Sequence, residues 1–163
     1  MKLSQFLIAA PFIVLFNFRS QAQVQAGQVG IAASLQSLQL DFTIPIWVGD
    51  RIVVAPSVGF MSSSEHITDI DLGAAFRAYL SKEKLSPYLG VRGAAFILTN
   101  GSSTTDKLLG AFFGAEYFLD SHFSVGGELQ LNATFSDQYS NRFGNPNGTN
   151  INNATGLYAT FYF

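Results

Sequence analysis

From Val24 to Phe163 the chain alternates between apolar and polar residues, with short polar clusters breaking the alternation at intervals. A period of two sends successive side chains to opposite faces of an extended backbone, so the pattern predicts half-buried strands rather than helices. The stretch after Ser121 is the clearest. Phe123, Val125, Gly127, Leu129, Leu131, Ala133 and Phe135 take one face, while Ser124, Gly126, Glu128, Gln130, Asn132 and Thr134 take the other. The last segment repeats this, with Thr155, Leu157, Ala159, Phe161 and Phe163 opposite Gly156, Tyr158, Thr160 and Tyr162. The same reading along the chain predicts eight strands, near 24–35, 37–48, 51–62, 66–80, 86–99, 107–119, 122–135 and 153–163. Connections at Val48–Arg51, Ser81–Leu85 and Asp120–Ser121 are tight. Those at Ser62–His66, Asn100–Asp106 and Ser136–Asn152 are longer, and Ser34–Ser37 is the one short connection at that second end.

Composition decides what such strands enclose. The 163 residues are 48% hydrophobic and 14% aromatic but only 12% charged, too apolar for an ordinary soluble surface. Beyond the first twenty residues no apolar run approaches the roughly 20 residues that a spanning helix needs. The other structure that satisfies every backbone group in lipid is a closed barrel. The expected fold is therefore all-β: an eight-stranded antiparallel up-and-down transmembrane β-barrel with a polar lumen.

The N-terminus reads as an export signal. Lys2 supplies the charge, Phe6–Phe16 the apolar core, and Ser20 and Ala22 the small residues that a signal peptidase requires, which puts cleavage between Ala22 and Gln23 and the barrel domain at 23–163. Removing Lys2 and Arg19 takes the formal net charge from −2 to −4. There is no basic stripe to suggest nucleic acid. The absence of cysteine excludes a lipidated cysteine, disulfides and thiolate metal sites, and no cofactor is expected.

Alternation alone does not say which face is outside. Of the charges after the leader, eleven fall in predicted turns or at strand ends, among them Asp106 and Lys107. Asp41, Asp69, Asp71, Arg77, Arg92, Glu116 and Glu128 fall within strands, all on the polar face. A cation facing lipid at mid-membrane costs about 2–4 kcal/mol, so a charge-free apolar face points outward and these seven form a lumen network. Arg77 and Arg92, on neighbouring strands, are expected to pair with the carboxylates. Glycines sharing that face leave room for them inside a narrow barrel. Trp47, Tyr79, Tyr88, Tyr117, Phe118, Phe123, Phe161 and Phe163 near one end, with Phe60, Phe96 and Phe135 near the other, suggest two interfacial girdles.

The closing strand Gly156-Leu-Tyr-Ala-Thr-Phe-Tyr-Phe163, the segments Pro56-Ser-Val-Gly-Phe60 and Pro87-Tyr-Leu-Gly-Val-Arg-Gly93, and charges confined to one face resemble the small outer-membrane β-barrel proteins, the class containing the OmpA barrel, OmpX and OmpW. The loops are too short for an OmpX-like protruding sheet, and a single Trp does not make an OmpW-like gallery. The resemblance implies the outer membrane of a Gram-negative-type bacterium, with lipid and lipopolysaccharide around a monomer. It also implies the barrel-assembly machinery as a partner, reading Phe161 and Phe163 as the insertion signal.

Candidate chemistry is thin. His122-Phe-Ser124 has the His-x-Ser spacing of lipid A deacylases but falls at a turn on the periplasmic side, and His66 beside Ser62–Ser64 and Glu65 reads as a solvated loop. The Asn- and Gly-rich stretch 136–152 reads as flexible and exposed. A non-enzymatic envelope protein with a structural or adhesin-like surface role is the leading expectation. A narrow passage for ions or small solutes is the second, and a soluble lipocalin-like periplasmic binder the third.

Overall fold

A computed structural model describes residues 25–36, 39–63, 66–98, 104–140 and 142–163, with the side chains of 61–63, 66–69 and 98 left aside. The predicted leader and the predicted cleavage site at Ala22 and Gln23 lie outside the described residues. The strands are β1 (Gly30–Gln36), β2 (Gln39–Thr43), β3 (Ile46–Trp47), β4 (Ile52–Ser63), β5 (His66–Tyr79), β6 (Leu85–Leu98), β7 (Thr105–Phe118), β8 (Phe123–Phe135) and β9 (Thr149–Tyr162). All pairings are antiparallel. Each strand from β3 to β8 pairs with the next, β9 pairs with β1, β1 with β2, and β2 with β4, which closes the sheet into a barrel.

β2 and β3 are one stave broken at Ile44-Pro45, so nine segments make the eight staves that periodicity predicts. The break follows from Pro45, which has no N–H for the ladder. Its carbonyl still accepts from Gly30, and Ile44 donates to Pro56. Val29 bridges Ile46 and Trp47 donates to Gln28, so β1 is preceded by a single bridge and a turn where an unbroken strand from Val24 was predicted. The last strand begins at Thr149 rather than 153, continuing the pairing of Phe135 with Thr149 and shortening the preceding loop to 136–148.

Polarity is inverted relative to a soluble protein. Ile31, Leu72, Leu89, Leu109, Leu129 and Leu157 are each more than half exposed, whereas Asp71, Arg77, Glu116, Gln130 and Asn132 are buried inside. Large inward rings need a gap on the neighbouring stave. Tyr88 lies opposite Gly114 and Tyr158 opposite Gly126, and a Cβ at either glycine would come within 2.4 Å and 2.3 Å of the facing tyrosine. The inward glycines thus accommodate tyrosine rings as well as the charges for which they were expected to make room.

Candidate functional site

Glu116 on β7 is fully buried near the end of the barrel where β1 begins and β9 ends. Four hydroxyls surround its carboxylate. Tyr79 and Ser124 donate hydrogen bonds to it, Tyr162 donates at 2.9 Å and Tyr158 at 3.4 Å. Charge-assisted hydrogen bonds of this kind are stronger than neutral ones and satisfy a buried carboxylate without an ion pair. Among the described residues no cation pairs with Glu116; the expected arginine–carboxylate pairing falls on Glu128 instead. What signalled the arrangement is parity, since Tyr158, Thr160 and Tyr162 share one face of β9 with Gly156.

Arg77 on β5 occupies the next layer. Its guanidinium lies 3.7 Å from the Glu128 carboxylate and is stacked between rings, with its carbon 5.2 Å from the centre of Tyr88 and 4.8 Å from that of Tyr158. Cation–π contact in a desolvated site helps to offset the cost of burying this charge. Glu128 also accepts from Tyr88 at 3.1 Å and from the Gln130 amide at 2.6 Å. Arg92 on β6 departs from expectation: it donates to the Gln130 side-chain oxygen at 2.7 Å and makes no ion pair among the described residues. Asn132 reaches the same oxygen at 3.3 Å. The space left beside Arg77, Arg92 and Glu128 is about 40 Å³, enough for a few waters.

Toward the other end, the Gln39 amide donates to Asp41 at 2.7 Å and to Asp71 at 2.6 Å. Both carboxylates face the gap left by Gly59, so the two acids are tied by a neutral donor. Asp69 belongs to β5, but its side chain lies outside the described ones. At the mouth is an inward charge that strand prediction assigned to a loop. Asp106 is fully buried because β7 starts at Thr105 rather than 107, which puts Asp106 on the same face as Leu108 and Phe112. It accepts from the Asp137 backbone at 2.7 Å and from the Ser140 hydroxyl at 2.5 Å. The segment 136–148 is therefore tied down at its start rather than freely exposed. Arg142 lies 4.2 Å from the centre of Phe96, which is itself packed edge-on against Phe143.

The girdle at the terminal end is half what was expected. Trp47, Tyr79, Tyr88 and Phe118 are buried within the lumen, with Trp47 and Tyr79 4.6 Å apart; Tyr117, Phe123, Phe161 and Phe163 face outward. At the other end Phe96 is also buried, whereas Phe135 is exposed. Phe161 packs edge-on against Phe163, and the Phe163 backbone donates to Val29 at 2.9 Å. His122 stacks on Phe161 and its ring meets Ser121 at 3.0 Å, whereas Ser124 points into the barrel toward Glu116. The His-x-Ser spacing therefore does not bring the Ser124 hydroxyl to the imidazole; the hydroxyl that meets the ring is that of the adjacent turn residue Ser121. His66, Ser62–Ser64 and Glu65 have no described side chains.

Solved structures share this architecture. The N-terminal β-barrel domain of Pseudomonas aeruginosa OprF superposes with a TM-score of 0.61, covering 83% of this chain and 96% of that domain at 14% identity. Neisserial surface protein A (NspA) gives 0.55, with 83% and 94% covered at 15% identity. No family model matches the chain, and no curated protein does. At these identities the likeness is one of fold, and that fold is the eight-stranded barrel of the small outer-membrane proteins.

Proposed function

We propose that this protein is an integral outer-membrane barrel, exported with a cleaved leader, whose side-chain-filled lumen makes it a structural or surface-interaction protein rather than an enzyme. The observation that carries the reading is the inverted polarity. Leu, Phe and Val side chains cover the outward faces of the staves, while carboxylates, arginines and amides fill the inside. In water such an exterior would be an aggregation surface; in a bilayer it is the required one. A lipocalin-like soluble binder demands the opposite arrangement.

In this orientation the tight turns and the termini face the periplasm and 136–148 faces outward. Phe161 and Phe163 serve as the assembly signal, and the barrel is a monomer surrounded by lipid and lipopolysaccharide. The test is cell fractionation combined with heat-modifiable gel mobility. The protein should sediment with outer membranes and run faster unheated than boiled, because a lipid-facing barrel stays folded in detergent. Recovery in the soluble periplasmic fraction with one unchanged band would overturn the proposal.

A further inference from the structure

One part of the outer wall is shaped rather than merely apolar. Ala74 on β5, Gly93 on β6, Ala111 on β7 and Ala133 on β8 floor a groove of about 700 Å³, which Leu109 and Leu131 also line. That volume falls within the roughly 300–1,000 Å³ of small-ligand sites. Lys107 lies one outward position beyond Leu109 on β7, toward the loop end, flanked across the ladder by Ala95 and Phe135. Among the described residues it is the single charged side chain on an outward strand face, and no described carboxylate pairs with it.

We propose that this wall holds one anionic membrane lipid, with an acyl chain in the groove and its phosphate on the Lys107 ammonium. The inference rests on the outer-membrane reading. An ammonium on a flexible stem near a strand end reaches the headgroup level, where a phosphate neutralises it. The groove lies one row deeper, at the level of acyl chains. A second copy of the chain fits less well: a two-fold contact over this wall would bury Lys107 against outward faces that carry no described carboxylate, leaving an unpaired charge.

The test uses the full chain reconstituted in phosphatidylcholine vesicles with a minor share of phosphatidylglycerol, extracted in mild detergent, its retained lipid counted by native mass spectrometry. Wild type should retain one phosphatidylglycerol, about fivefold above its share in the vesicle, the factor that a single lysine near an anionic surface confers. Lys107→Gln should reduce that preference to parity while insertion persists. Ala133→Phe, which fills the groove, should lower retention of either lipid, and Lys84→Gln near the opposite end should change nothing. Unchanged preference in Lys107→Gln overturns the proposal, as does a stable dimer trapped by cross-linking through Ala111→Cys. A protein that fails the heat-modifiability test overturns the outer-membrane reading and this inference with it. One that inserts normally but shows no lipid preference overturns this inference alone.

Discussion

Glu116 shows how a single inward residue organises a barrel end. Its carboxylate gathers hydroxyls from β5, β8 and β9, so four donors lose their acceptor if the acid is removed. A buried donor left unsatisfied costs about 1–3 kcal/mol, and even with local rearrangement Glu116→Ala should lose about 3–5 kcal/mol. Glu116→Gln, which keeps one acceptor oxygen, should lose less. Urea unfolding in detergent micelles, followed by fluorescence of Trp47, which packs on Tyr79 beside the site, measures both. Equal midpoints for wild type and Glu116→Ala would refute the account. The position of Glu116 inside the barrel was legible from alternation. Its partners were not, because period-two reading assigns a face without telling how far a tyrosine reaches across staves, and interfacial aromatics and lumen aromatics have the same composition.

At the scale of elements, the turns and the one long described loop follow from local hydrogen bonding. Asp120 accepts the His122 and Phe123 backbone N–H groups at 2.7 and 2.8 Å, and these bonds hold its carboxyl below the ordinary aspartate range. An acid with a depressed pKa contributes stability that is complete above its unfolded value and is lost as pH falls through the folded one. The turn should therefore be unaffected from neutrality down to about pH 4 and loosen below it. Amide chemical shifts of His122 and Phe123 in micelles should titrate in that acid range, while Asp120→Asn, which keeps the acceptor but does not ionise, should show flat curves. Loop 136–148 depends on Asp106 in the same way. Asp106→Ala removes the acceptor of the Asp137 N–H and the Ser140 hydroxyl, so proteolysis within 136–148 should accelerate at least tenfold while the strands stay protected. Unaltered cleavage would mean that the latch is not what orders the loop. Strand existence and order were readable from the polar and apolar pattern. The two-residue error at the start of β7 was costly because it converted an inward carboxylate into a loop charge, and Pro45 interrupted a stave that periodicity alone ran through.

For the molecule as a whole, the outward faces and the lumen make separable demands. Leu129 is 62% exposed on the outer wall and its neighbour Gln130 is buried in the lumen, so Leu129→Arg should reduce folded yield in vesicles by roughly an order of magnitude, and Gln130→Arg much less. Equal tolerance would mean that the faces are reversed. Inside, the two arginines distinguish a packed plug from a conducting path. Arg77 is buried, paired with Glu128 and enclosed by two tyrosine rings, whereas Arg92 is held by a neutral amide. Removing Arg77 leaves Glu128 uncompensated and should cost about 3–5 kcal/mol, while Arg92→Ala should cost only about 1–2 kcal/mol, the worth of a hydrogen bond that involves one charge. A plug further implies that wild type in planar bilayers carries little steady current and that Arg92→Ala is no leakier, since the neighbouring void of about 40 Å³ holds only a few waters. A water-filled path implies the reverse: both arginines would be solvated, both substitutions would leave the urea midpoint unchanged, and either would shift selectivity toward cations by removing positive charge from the lumen. Conductance and unfolding measured on the same three proteins separate these cases. A conducting wild type whose midpoint is insensitive to Arg77→Ala would eliminate the plug.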